Sequence, residues 1–348
     1  MLRGSYDVVI VGAGVAGCAA ALSLPPGTRA LIVDRAGPES ERCCGGLLAP
    51  DAQAALAALG LGLPDDLRVR PEPRFVHVHD LDNRRHQTYR RDYLNLDRPR
   101  FDAWLLALAA ERVEVSNQTR FVGAGSGPGE VRLSQGARTA MVETRLLVGA
   151  DGASSTVRRH FFPDRPGPPT MVARQVTLAR PERSRAGLET HEVLFASALT
   201  DFYAWAIPKG ETVLIGCAFE ETEGARARFE QILAWYREQL GLSGKILGRS
   251  ARRLSRPRKR AELFPGRAGV LLIGEAAGLV SPSSGEGISY ALLSGLASAQ
   301  AIATDSPETA YRRAFVHLER RVAAKTLKAK VIYSPRLRSL ALRLPWYP

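Results

Sequence analysis

The first strongly patterned stretch, YDVVIV at 6–11, is an apolar run too short for a helix and predicts a strand buried on both faces. The turn GAGVAG (12–17) ends it, and the small-residue stretch CAAALSL predicts a helix. ALIVD, ending at Asp34, predicts a second buried strand. DAQAALAAL (51–59) predicts a helix that starts at Asp51, a good N-cap residue just after Pro50. Residues 74–91 instead alternate apolar and polar around LDNRR, the pattern of a hairpin in a different sheet. Helical spacing returns at 101–110, then a short strand near 113–115 and a glycine-rich hairpin turn at 123–130. RLLVGAD (145–151) predicts a strand, and further strands are expected near 171–178, 191–196, 202–207 and 212–218. An amphipathic helix follows at 225–240, then the strand GVLLIGE (269–275) and helices over 286–303 and 307–330. No segment repeats another.

This order predicts an α/β, Rossmann-like nucleotide domain interrupted by a β-rich insertion. The nucleotide domain is expected from residues 1–70, 97–160 and 262–310, and a substrate domain from 71–96 and 161–261. Residues 311–348 form a basic helical tail.

Composition changes this picture little. At 45% hydrophobic and 24% charged, the 348-residue chain is that of an ordinary soluble protein, with no apolar run of membrane-spanning length. The strand at Tyr6 leaves no room for a signal peptide, so a cytoplasmic location is expected. Charge is more informative. The net charge is +13, with eight basic residues and no acid over 245–260, and ten basic residues against Glu319 after residue 310. Such runs suit an acidic partner, although arginine outnumbers lysine 42 to 6 throughout, which makes a solvated basic surface the simpler account of 245–260. Neither run interleaves aromatics, and nucleic acid is not expected as a partner. In the tail, Lys325, Lys328, Lys330, Arg336, Arg338 and Arg343 surround Leu327, Val331, Ile332, Leu337, Leu340 and Leu342. That segment is expected either to lie peripherally on an anionic membrane or to pack its apolar side on the nucleotide domain, with Pro335 breaking the helix.

The candidate chemistry begins at the first turn. Strand, G-x-G-x-x-G, helix, strand and terminal acid form a dinucleotide fingerprint in its required context. Gly12 permits the tight turn, Gly14 lets the Ala13–Val15–Ala16 backbone approach a pyrophosphate, and Gly17 packs the helix close to the sheet. Asp34, with Arg35 beside it, is placed at the ribose. Together with GADGASSTVR (149–158) and GEAAGLVSPSSGEG (274–287), this points to FAD.

At these residues the chain resembles flavoproteins of the glutathione-reductase/para-hydroxybenzoate-hydroxylase type, an FAD-binding Rossmann-like domain with an inserted antiparallel β-sheet substrate domain. Among them it resembles the geranylgeranyl-reductase family. Cys44-Gly45-Gly46 is similar to that family's CGG loop, with Arg42 just before it and Cys43 where a proline is usual. Asp97-Arg98 with Phe101-Asp102 resembles its D-R-x-x-F-D helix start, whose arginine lies on FAD. Tyr203, Trp205, Ile207 and Pro208 resemble its Y-x-W-x-F-P strand, and Gly274 to Gly278 its G-D-A-A-G, with Glu275 replacing Asp and Ala276 in place. The resemblance also implies FAD contacts at Asp151 and Gly152, and at Gly285, Gly287 and Ile288, where a helix N-terminus meets the flavin.

It implies hydride delivery from reduced FAD to a carbon–carbon double bond of a hydrophobic, isoprenoid-like substrate. A monooxygenase of the same fold, or a non-catalytic binding protein on this scaffold, are the alternatives. The strand FYAWAIP is also similar to the W-x-W-x-I-P of flavin halogenases, but no lysine precedes Lys209 to handle a halogenating species. Only one dinucleotide fingerprint exists, so electrons must come from a transient NAD(P)H or a separate donor. Adjacent Cys43 and Cys44 would close a strained ring if bonded, and they lack further metal ligands. Cys44 is the candidate proton donor to the reduced alkene, or a small hydrophobe shaping the pocket, while Tyr203 and Trp205 are candidate substrate walls or plain core aromatics.

Overall fold

The computed structural model describes residues 4–36, 43–180, 189–220 and 222–341. The apolar runs become a parallel core, because a strand buried on both faces needs helices above and below it. Ser5–Val11 sits between Ala30–Val33 and Arg138–Gly149, parallel to both. Val270–Leu272 continues this sheet on one side and Glu114–Ser116 on the other. The hairpin Thr119–Ala124/Glu130–Gln135 pairs antiparallel onto the first half of Arg138–Gly149. Helices Val15–Ser23, Ile288–Ile302 and Pro307–Ile332 contribute to the same apolar core as this sheet.

A second, seven-stranded sheet runs in the order Ile246–Ser255, Thr170–Ala179, Thr212–Phe219, Ala204–Lys209, Thr190–Phe195, Phe75–Asp80, Arg85–Arg90. The expected antiparallel insertion holds with one exception: Thr190–Phe195 pairs parallel with Phe75–Asp80. These two strands come from separate excursions of the chain, so no hairpin forces them to run oppositely. Helix Ala225–Leu240 covers one face of this sheet through Phe229, Ile232, Leu233 and Tyr236.

The basic run at 245–260 is largely exposed, as expected of a solvated surface, and it also carries an edge strand, Ile246–Ser255, that the sequence pattern does not predict. Arg249, Arg252 and Arg253 lie on its exposed positions, as charges do on edges that must not pair further. No apolar alternation marks it, because little of the strand is buried.

The tail packs on the body. Helix Pro307–Ile332 ends two residues beyond the expected boundary, and Pro335 opens a new helix, Pro335–Ala341. Arg338 is buried, donating from Nε and Nη2 to Asp80 at 2.8 Å and from Nη2 to Asp82 at 2.6 Å. It therefore serves as an internal clamp and not as a membrane-facing charge. Leu342 and Arg343 lie outside the described residues.

Candidate functional site

The glycine turn leaves the first strand directly beneath a cavity of about 570 Å³, lined by Gly12, Gly14, Asp34, Arg35, Asp151, Gly152 and Arg252. A second cavity, about 270 Å³, is lined by Val15, Ala16, Cys43 to Leu47, Arg98, Tyr203, Trp205, Glu275, Gly285, Gly287 and Ile288. The two meet over Gly14, Cys43, Ala150, Gly152 and Arg252.

At the far end of the larger cavity Asp34 accepts from the amides of Ala13 (2.7 Å) and Ala36 (2.8 Å), which aims its carboxylate while leaving lone pairs for a diol. Asp151 is held differently. Its oxygens accept from Ser155 Oγ at 2.5 Å and from the amides of Thr156 and Val157, so it caps helix Thr156–Phe161 at the cavity edge. Burial pushes its carboxyl upward.

Helices Val15–Ser23 and Ile288–Ile302 both begin at the cleft behind glycine N-caps, Gly14 and Gly287, that offer no side-chain hydrogen bond. Their first residues line the cleft, so their first amides and the positive ends of their dipoles lie at it.

Around the smaller cavity the Cys-Gly-Gly loop is pinned from behind. Lys209 donates to the carbonyls of Leu96 (2.8 Å) and Gly46 (3.2 Å) and to Asn95 Oδ1, and burial lowers its amine to about 7. Gly46 has φ +62, and a Cβ there would lie 2.6 Å from Lys209 Nζ. Cys44 Sγ accepts from Arg98 Nη1 at 3.0 Å and from the Gly46 amide at 3.4 Å. Arg98 also grips both oxygens of Asp102, while its buried Nε has no partner among the described residues. Cys43 lines both cavities, and burial raises its thiol.

Opposite the loop, Trp205 pairs across the strands with Gly216, whose missing Cβ makes room for the indole: a Cβ there would lie 2.3 Å from the ring. Tyr203 donates its hydroxyl to the Ser284 carbonyl at 2.8 Å, tying the aromatic strand to the loop before helix Ile288–Ile302, and burial raises its phenol strongly. With its proton already engaged, Tyr203 is placed to position that loop.

Not every residue of the fingerprint lines the cleft. Ala13, Gly17, Gly274 and Ala276 are absent from both linings. Gly17 makes the close approach, with a Cβ there falling 2.0 Å from the Gly12 carbonyl oxygen, and Gly274 would meet Ala16 at 2.9 Å. Glu275 does reach the smaller cavity; Oε1 accepts from the Ser255 amide at 2.7 Å, and burial raises its carboxyl. Arg42 lies outside the described residues.

Three lining residues carry no sequence signal of their own. Arg252 stands in the basic edge strand, where the cavities meet. His191 is buried with both ring nitrogens unpartnered among the described residues, and burial lowers it to about 4, so it is neutral at physiological pH. Glu286 is held up at about 7 by burial and by the Asp51 carboxyl beside it, against the opposing charge of Arg91. Each became visible only when segments distant in sequence came together.

The cleft fits FAD: an acid waits at one end, a glycine turn and two uncapped helix N-termini run along it, and a buried arginine with an idle Nε sits at the other. This combination defines an FAD-dependent oxidoreductase of the para-hydroxybenzoate-hydroxylase-type fold. The chain belongs to the family described as the FAD binding domain, whose profile matches residues 5–315. It is 32% identical to Protein CbrA of Escherichia coli O6:H1 over 346 residues, 97% of this chain and 93% of that one. Among solved structures it is similar to a geranylgeranyl bacteriochlorophyll reductase-like protein from Thermoplasma acidophilum. That match has a TM-score of 0.82 at 20% identity and covers 95% of this chain and 88% of the other. It is also similar to PqsL from Pseudomonas aeruginosa, a probable FAD-dependent monooxygenase, with a TM-score of 0.74 at 19% identity over 98% and 100% of the two chains.

Proposed function

We propose that the protein reduces a carbon–carbon double bond of a hydrophobic, isoprenoid-like substrate in the smaller cavity. The observation that carries this reading is the pairing of an apolar wall (Trp205, Ile207, Phe202) with a thiol whose sulfur is held by Arg98. FAD in its reduced form supplies the hydride, fed by a transient NAD(P)H or a separate donor. The chain's own residues supply the rest. Cys44 gives the proton that completes the saturated product, and the Arg98 guanidinium and Gly46 amide then stabilise the sulfur left behind. Neutral His191 offers one donor and one acceptor to a polar end of the substrate.

Reduced enzyme mixed with a polyprenyl alkene under strict anaerobiosis is expected to give one reduced product per flavin, read by mass spectrometry. Product that forms only with oxygen, matched by oxygen consumption, would instead identify a monooxygenase.

Glu286 is the pH gate of this cavity. Below about 7 it is neutral; above, it places a buried negative charge beside a site that must hold electron-rich flavin. Product formation is therefore expected to fall as pH rises through about 7. Glu286→Gln, neutral at every pH, should keep the low-pH rate and lose that limb. A tenfold or larger loss below about 7, where Glu286 carries its proton, would make Glu286 itself the proton source.

The tail bears on how such a substrate is collected. No helix among the described residues is long and apolar enough to cross a membrane. Leu327, Leu337 and Leu340 are nevertheless exposed, with Lys330 and Arg336 also exposed on the same segment. Peripheral docking on anionic lipid is the proposed role. Cosedimentation with phosphatidylglycerol vesicles is expected at low salt and weaker at 0.5 M NaCl. Replacing the three leucines by glutamine should abolish it, and unchanged binding would remove the tail from the account.

A further inference from the structure

Strands Arg85–Arg90, Phe75–Asp80 and Thr190–Phe195 lie side by side in the second sheet. Val76, Val78 and Val193 point to the side of Tyr93 and Tyr203, towards the FAD cleft. Alternation along a strand then puts His77, His79 and Glu192 on the other face. The register sets Glu192 against His77 and His86 against His79. Half of the chain's six histidines thus converge on one spot. One nitrogen from each of the three rings lies within 4.8 Å of the other two.

Glu192, 2% exposed, holds this cluster from below. Its Oε2 lies 2.7 Å from His79 Nε2 and 3.2 Å from His77 Nδ1, and its Oε1 accepts from Thr190 Oγ1. A carboxylate can only accept, so the proton of neutral His79 sits on Nε2 and its Nδ1 carries a lone pair. That lone pair faces His86 Nδ1, 3.2 Å away. Two nitrogens on one tetrahedral ion, each bonded at about 2.0–2.1 Å, stand about 3.3 Å apart. Trp235 edges onto His79 at 5.1 Å and shields the cluster on one side, while His86 is exposed on the other.

We propose that His77, His79 and His86 bind a divalent ion of the zinc type, with the Glu192 carboxylate orienting His79 and a fourth position open to water at the exposed side. Imidazole ligands backed by a buried carboxylate suit zinc among the common divalent ions. The site lies on the opposite face of the sheet from the FAD cleft, so it is separate from the flavin chemistry. Bound there, the ion would staple Phe75–Asp80 to Arg85–Arg90, with Thr190–Phe195 joined to them through Glu192, on the sheet whose other face supports Tyr203.

The test uses the full-length, tag-free, FAD-loaded protein, equilibrated with zinc sulfate, desalted and read by metal analysis and X-ray absorption. One zinc per chain is expected, with a nitrogen and oxygen shell at about 2.0–2.1 Å. Glu192→Gln should weaken binding by about 10- to 100-fold, and His86→Ala by at least as much. Flavin content and circular dichroism serve as the controls for folding; His86 is exposed and its loss leaves no buried gap. The proposal fails if zinc is not retained, if His77→Ala with His86→Ala binds it as the wild type does, or if the shell is sulfur at about 2.3 Å, which would place the ion on the cysteines.

Discussion

Cys44→Ser is expected to bind FAD and accept electrons as the wild type does, yet to lose about 10²- to 10⁴-fold in product formation, the usual contribution of a positioned proton donor. A serine keeps the size of the side chain and can still accept from Arg98 Nη1, which lies 3.0 Å from the sulfur in the wild type. What it loses is a proton that leaves easily. Stopped-flow flavin reduction and product assay on the same sample separate the two steps. Cys43→Ser should change little, although Cys43 also lines the cavity. If Cys44→Ser turns over at the wild-type rate, the loop is only a wall of the flavin pocket, and Glu286 becomes the next group to examine as donor.

Gly17→Val is expected to yield protein with little or no bound FAD and a lower melting temperature. The close approach leaves no alternative: even the first added carbon would stand 2.0 Å from the Gly12 carbonyl oxygen, a backbone atom that cannot swing aside. Relief requires the helix to back away from the turn, which moves the amides at the head of Val15–Ser23 off the pyrophosphate position. Gly62→Ala is the control, since a Cβ there meets nothing within 4 Å. The measurement is the ratio of flavin to protein absorbance after gel filtration, together with thermal melting. Full flavin occupancy in Gly17→Val would mean that the helix shift is absorbed elsewhere.

The sequence by itself determined the nucleotide half. Continuous apolar runs, one glycine spacing and a terminal acid are local signals, because each strand, turn and cap is made by neighbours in the chain. They placed the strand Ser5–Val11 and the helix Val15–Ser23 where the structure has them, and Asp34 in the cavity lining just after the second strand. The hairpin at 75–90 and helix Ala225–Leu240 were legible for the same reason. Only the tertiary structure decided the rest. The edge strand Ile246–Ser255 has no buried face to imprint a period. The parallel pairing of Thr190–Phe195 with Phe75–Asp80 joins segments more than 100 residues apart, and it alone brings Glu192 to His77, beside the His79–His86 pair that the local hairpin makes. Arg338 reads as one more positive charge in a basic tail until Asp80 and Asp82 are found against it. Glu286 and His191 are ordinary residues in the chain; burial moved the titration of one to about 7 and of the other to about 4, and burial belongs to the folded molecule alone.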